Sequence, residues 1–219
     1  MATISEPRTQ AGSTPAAGTG SSWAPANPAA LGLAVFGITT MMLSIMNANL
    51  VTDNLPAVAT MALAVGGIPQ LLAGMWEFRN GNTLGAVAFS AYGGFWISFY
   101  FLVHGVSTNA ATNTVTASSL GLYLWCWTGF TAVMFICSLA GARAVQAVFL
   151  LLTLTFAFLA IGASGGHLAP AASGATMTNI GGYLGIVTAI AALYTSAAEI
   201  MAATYKHDVL PLGRPVVHN

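Results

Sequence analysis

The sequence predicts an all-α integral membrane protein with six transmembrane helices. Three observations carry that expectation. Of 219 residues, 56% are hydrophobic and only 5% are charged, with a mean hydropathy of +0.77, a balance that a soluble domain of this length does not show. Six apolar segments, at 29–50, 56–76, 83–103, 118–140, 143–163 and 178–203, are each long enough to cross a bilayer. The five basic residues, Arg8, Arg79, Arg143, Lys206 and Arg214, all fall on the side of a six-span arrangement that both termini share, and Asp53 falls on the other. The positive-inside rule then places both termini in the cytoplasm. Five or seven spans would scatter these charges over both faces.

Residues 1–26 are rich in Ser, Thr, Ala, Gly and Pro and have no periodicity, the composition of a disordered cytoplasmic tail. No basic region followed by an apolar run marks a cleavable signal peptide. The transmembrane domain is expected over 27–205, with a short cytoplasmic tail at 206–219. It opens on Asn27-Pro28-Ala29-Ala30-Leu31-Gly32-Leu33. Asn27 has the chemistry of an N-cap, and Pro28 suits a first helical position, where its missing N–H costs nothing. A helix start of this kind presents free N–H groups and a partial positive charge at the membrane boundary, a place where a small anion could dwell without a fixed cation.

Pro56 fits the start of the second helix. Pro69 lies inside that helix, frees the carbonyl of Val65 and predicts a kink. Gly67, Gln70, Gly74 and Glu77 share one face of it, and Gly181 and Gly185 form a GxxxG pair in the sixth helix; small-residue faces of this kind favour close helix packing. Leu84-Gly85-Ala86-Val87-Ala88-Phe89 echoes Leu31-Gly32-Leu33-Ala34-Val35-Phe36, each preceded by an Asn (Asn82, Asn27), which suggests three related helical hairpins. Cys126 and Cys137 lie eleven residues apart in one segment, about 16 Å along a helix, too far for a disulfide.

Stripes of side chains point to a pathway. Phe36, Thr40, Leu43 and Asn47 form one on the first helix, Tyr92, Trp96 and Phe99 another on the third, and Leu152, Phe156 and Leu159 a third on the fifth. Phe36 is nine residues from Asn27, Tyr92 eight from Leu84 and Leu152 nine from Arg143. These helices run in one direction, so the three side chains reach a common depth of about 12–14 Å. A pore lined by them would narrow to a ring of Phe36, Tyr92 and Leu152, the kind of constriction that gates by dewetting; ordinary core packing accounts for the same stripes. Neutral donors along such a route would be Asn27, Thr39, Thr40, Asn47, Gln70 and Tyr92. Glu77 and Glu199 lie near the cytoplasmic ends of their helices with Arg79, Arg143 and Lys206, which suggests ion pairs.

Several classes of function are excluded. Zero net charge implies no nucleic acid partner. No span contains a Lys for a retinal Schiff base. No cluster has metal-ligand spacing, His104 and His167 read as solvated helix ends, and no nucleophile–base pair or phosphate loop is present. The chain therefore reads as a non-enzyme with no cofactor and no metal.

Taken together, these residues resemble the acetate uptake transporter family (GPR1/FUN34/YaaH). The motifs that carry the resemblance are Asn27 to Leu33; Gly66-Gly67 with Gln70, Ala73-Gly74 and Glu77; Gly81-Asn82-Thr83-Leu84-Gly85; and Phe89-Ser90-Ala91-Tyr92-Gly93 with Phe95-Trp96. Gly141-Ala142-Arg143 with Gln146, and Val209-Leu210-Pro211-Leu212-Gly213, complete them. The resemblance implies a six-helix protomer in a homo-hexamer in a cell membrane, the bacterial inner membrane among them. It also implies one route per protomer for acetate and in some members succinate, and constrictions at Phe36, Tyr92 and Leu152. Two positions depart from the family pattern: Ala30 stands where Pro is usual, and Ser138-Leu139-Ala140 lacks the base that often precedes Gly141.

An unpaired carboxylate in a dry pore is very costly. With no cation in the spans the solute crosses partly hydrated, hydrogen-bonded stepwise, or as the protonated acid, so an anion channel and a proton-coupled permease are both compatible with the sequence. The competing function is a channel for small neutral solutes such as urea, ammonia or water. An aquaporin is disfavoured because the chain has one Asn-Pro-Ala and not two.

Overall fold

The computed structural model describes residues 26–52, 54–104, 116–165 and 176–216. The expected tail up to residue 25, Arg8, Asp53, most of the loop at 107–116 and His167 lie outside these, as does the side chain of His104. The described residues form six membrane-length helices and no strand: α1 (Ala29–Asn47), α2 (Leu55–Asn80), α3 (Thr83–His104), α4 (Ala117–Cys137, extended by a 3-10 turn at Ser138–Ala140), α5 (Arg143–Ser164) and α6 (Thr176–Tyr205). The chain is a multi-pass membrane protein, as its composition predicts. Apolar side chains such as Leu122, Val133 and Ile136 stay exposed on the outer surface, which lipid satisfies where water would not.

The helices close into a ring in chain order. α1 packs on α2 and α6, α2 on α3, α4 on α5, and α5 on α6, while α3 and α4 approach at few backbone positions. Small residues set the tight joints. A Cβ on Gly74 would meet the backbone of Ser90 at 2.5 Å, so α2 and α3 come as close as glycine allows. Gly182 sits against Ala48, just past the end of α1, Gly185 against Ser44 of α1, and Gly181 against Leu159 of α5. The GxxxG pair thus serves two neighbours at once. At the α3–α4 joint aromatic rings replace glycines: Phe95 stacks on Tyr123 at 5.7 Å, and Trp127 of α4 meets Phe95 at 5.1 Å.

α2 accommodates its internal proline through a change of helical register. Residues Ala62–Gly67 form a π-helix, and the N–H of Ile68 bonds the carbonyl of Leu63, five residues back. Widening the register before Pro69 accommodates the missing donor. It also seats Gly66 between Thr39 of α1 and Trp96 of α3.

The C-terminal segment doubles back on the bundle. α5 begins after an extended Ala142 with no side-chain cap, and the N–H of Ala144 bonds the carbonyl of Leu212 at 2.9 Å instead. Arg143 Nε donates to the Arg214 carbonyl at 3.1 Å, and the Tyr194 hydroxyl to the Pro211 carbonyl at 2.9 Å. A strap from 209 to 214 thereby satisfies a helix start that its own sequence leaves open. Gln146 Nε2 closes the α4–α5 turn by donating to the carbonyls of Leu139 and Gly141 at 3.1 and 2.8 Å.

Candidate functional site

Helices α1, α3 and α5 run parallel, and their first turns surround a cavity of about 390 Å³. α1 contributes Ala29, Leu33 and Phe36; α3 contributes Leu84, Gly85, Ala88, Phe89 and Tyr92; α5 contributes Val145, Val148, Phe149 and Leu152. These residues recur at helical spacing, so one face of each helix lines the space. Asn27, Asn80, Asn82 and Glu199 line its mouth, and Gln70 of α2 joins the lining well inside. Ten residues separate Gln70 from Asn80, about 15 Å of helix.

The deepest lining residues on the three parallel helices are Phe36, Tyr92 and Leu152. The Phe36 and Tyr92 rings lie 5.8 Å apart, and Tyr92 reaches Phe149 on α5 at 6.4 Å. All three deepest residues are buried, at 5%, 2% and 3% exposure, so the cavity ends where they converge. Tyr92 is fixed from behind, since its hydroxyl donates to Thr131 Oγ1 at 2.9 Å and that hydroxyl in turn donates to the Trp127 carbonyl at 2.7 Å. Beyond the ring, Phe95, Phe99, Trp127 and Phe156 pack with centroids 5.1–6.0 Å apart around Phe95. The described cavity therefore opens only on the side where α1, α3 and α5 begin.

The mouth is built from amides. Asn27 Oδ1 accepts from the Ala29 N–H at 3.0 Å, and Asn82 Oδ1 accepts from the Gly85 N–H at 3.1 Å. Asn82 stands in the cap position of α3 and accepts three residues on, whereas Asn27 stands one residue before the cap position of α1 and accepts two residues on. α1 itself begins at Ala29, with Pro28 in the cap position, one residue later than the sequence suggests. Asn27 Nδ2 donates to Glu199 Oε2 at 2.7 Å, so this donor is already engaged. An amide contacts each glutamate: Asn27 donates to Glu199, and Asn80 to Glu77, whose Oε2 accepts at 3.4 Å. Glu77 is fully buried behind the mouth and its Oε1 has no partner. Arg143 goes to the C-terminal strap and Gln146 to the α4–α5 turn, so both shape the mouth from outside the lining.

Three other residues expected along the pathway are not among the lining of this cavity. Thr39 is wedged against Gly66 and Thr40 is buried one turn past the ring. Asn47, at the far end of α1, lies against Gly182. None of them lines the cavity, because their positions on α1 turn toward α2 and α6 or lie beyond Phe36. The sequence reading missed Asn80 as a lining residue and Thr131 as the anchor of Tyr92. Asn80 could have been found from its place two residues before the capping Asn82. Thr131 carried no local signal, since its partner lies on another helix. Among the described residues no group of His, Cys, Asp and Glu could hold a metal ion.

The chain matches the model of the GPR1/FUN34/yaaH family over residues 12–212. It is 36% identical over 189 residues to the succinate-acetate/proton symporter SatP of Escherichia coli, covering 86% of this chain and 95% of that protein. It is 37% identical over 202 residues to acetate permease A of Emericella nidulans, covering 86% of this chain and 66% of that one. The solved structure of the bacterial acetate channel SatP superposes with a TM-score of 0.79 at 36% identity, over 86% of this chain and 99% of that one. With motifs, six-helix ring and matched length in agreement, the chain belongs to the GPR1/FUN34/yaaH family.

Proposed function

We propose that this protein moves acetate and related small carboxylates, succinate among them, across a cell membrane through the cavity and the Phe36–Tyr92–Leu152 ring of each protomer. The carrying observation is the convergence of those three side chains at the inner end of a 390 Å³ cavity, a space sized for a small solute. The relatives named as a succinate-acetate/proton symporter, an acetate permease and an acetate channel support the choice of substrate. The apolar ring separates the amide-lined mouth from the far side, so a solute sheds water there and the ring sets both rate and selectivity. The mouth faces the cytoplasm in this reading, because Arg79, Arg143, Lys206 and Arg214 lie on its side. The protomer assembles as a homo-hexamer, an expectation that rests on the family resemblance and that native mass spectrometry tests.

Uptake of labelled acetate into proteoliposomes, with and without a pH gradient, tests the function. Uptake above that of protein-free liposomes is expected. Its absence in both conditions removes the proposal. A tag at either terminus reachable from outside intact cells would reverse the orientation.

A further inference from the structure

We propose that the Phe36–Tyr92–Leu152 ring opens when α3 and the inner half of α2 (Ile68–Asn80) swing together as one leaf, hinged beside α1 and latched to α4. The inference rests on the transport reading and names the moving part of its gate. The division into bodies follows from where glycine meets backbone. A Cβ on Gly74 would meet the Ser90 backbone at 2.5 Å, and one on Gly93 the Leu71 backbone at 2.7 Å. The inner half of α2 and α3 are thereby locked to each other. A second set of such contacts joins α1 to α6 at Gly37 and Gly182, α5 to α6 at Gly162 and Gly181, and α4 to α5 at Gly121. Joints this close contain no side chain that could rotate, so each set moves as a unit. Between the two sets the nearest atoms belong to side chains: the Phe89 ring at Gly32, and Thr39 with Trp96 at Gly66. The ring is divided accordingly. Phe36 and Leu152 belong to one body and Tyr92 to the other.

The hinge edge lies at the π-helical turn Ala62–Gly67, where the wide register and Pro69 just beyond it allow α2 to bend. Beside Gly66 of that turn, Thr39 Oγ1 and Trp96 Nε1 are buried without a hydrogen-bond partner, so these groups add contact but no directional bond that a swing would break. The free edge is built in the opposite way. The Tyr92 hydroxyl donates to Thr131 Oγ1 at 2.9 Å, and Ser98 Oγ lies 2.8 Å from the Tyr123 hydroxyl. Bonds between side chains part and re-form as the rings turn. When the Tyr92–Thr131 bond parts, the leaf takes Tyr92 away from Phe36 and Leu152. It carries the lining residues Gln70, Asn80 and Asn82 with it, so wall and ring move in one step, a hinge closure of the kind that gates access.

The test staples the leaf in the full chain, with Cys126→Ser and Cys137→Ser removing the exposed native thiols. Ser98→Cys with Tyr123→Cys, closed by a short reducible bis-methanethiosulfonate, ties the leaf to α4 away from the cavity lining. Gly32→Cys with Phe89→Cys ties it to α1. A Cβ at position 32 would lie 2.7 Å from Phe89 Cγ, so the two β-carbons fall within disulfide range, and the pair is smaller than the ring it replaces. Thr155→Cys with Thr188→Cys, whose hydroxyls lie 3.3 Å apart, staples α5 to α6 inside the other body and is the control. Acetate uptake into liposomes is compared before closure, after closure and after reduction. Closing either leaf staple is expected to bring uptake down to that of protein-free liposomes, and reduction to restore it; the control staple is expected to leave uptake unchanged. Unchanged uptake with a closed leaf staple, or an equal loss with the control, overturns the leaf and leaves transport standing. No uptake by the unmodified protein removes the transport reading itself. The two leaf staples are independent, so either decides the matter if the other variant fails to fold.

Discussion

The rings of Phe36 and Tyr92 meet with centroids 5.8 Å apart and planes inclined by 50°, so α1 and α3 close the cavity through two side chains and not through backbone. Phe36→Ala removes one of the two and leaves its helix intact. The variant is expected to take up acetate faster and to admit acids, lactate for example, that the unmodified protein carries slowly. Competition assays in proteoliposomes check this. Unchanged selectivity with lowered yield would make Phe36 a packing residue only.

Thr131 is fully buried and touches Tyr92 from outside the cavity. Thr131→Val keeps the shape and deletes the acceptor of the Tyr92 hydroxyl, leaving a buried phenol unpartnered. The cost is about 1–3 kcal/mol, visible as a lower melting temperature in detergent. Transport selectivity is expected to relax as well, because the ring of Tyr92 loses its anchor. A loss of stability with selectivity intact would separate the anchor from the gate.

Gly74 and Gly129 make a matched pair of tests. A methyl on Gly74 collides with the Ser90 backbone of α3, whereas a methyl on Gly129 meets nothing within 4 Å. Gly74→Ala is expected to destabilise by about 1–3 kcal/mol through forced separation of α2 and α3. Gly129→Ala is expected to be neutral or slightly stabilising through helix propensity. Thermal unfolding of the two variants side by side decides whether glycine at position 74 is required by contact.

Gly213 has a φ of 77°, and a Cβ there would lie 2.9 Å from Arg143 Cβ. Gly213→Ala is expected to cost about 1–2 kcal/mol from the backbone alone and to loosen the strap that caps α5. Faster hydrogen exchange at Ala144 and its neighbours, with little change in α2 or α3, is the expected signature.

Much of this was legible in the residues because two regularities reach across the whole chain. Apolar length and the one-sided placement of five basic residues fix six spans. The 1.5 Å rise brings Phe36, Tyr92 and Leu152 to one depth without knowledge of the packing. What escaped depends on rotation about the helix axes. Thr39, Thr40 and Asn47 are polar residues in an apolar helix, and the sequence does not say which of them line the cavity. Only the positions of α2 and α6 show that they turn away from the cavity or lie past its end.

The α3–α4 joint differs in kind from its neighbours. Joints set by glycine against backbone, as at Gly74 and Gly182, have no slack, since any outward shift leaves a void that no side chain can fill. A joint made of Tyr92, Phe95, Tyr123 and Trp127 can change its spacing by rotating rings. The barrel wall is thus stiff around most of its circumference and compliant along one seam, and that seam runs past the tyrosine that ends the cavity. Disulfide staples between α3 and α4 would remove the compliance while leaving every other contact in place.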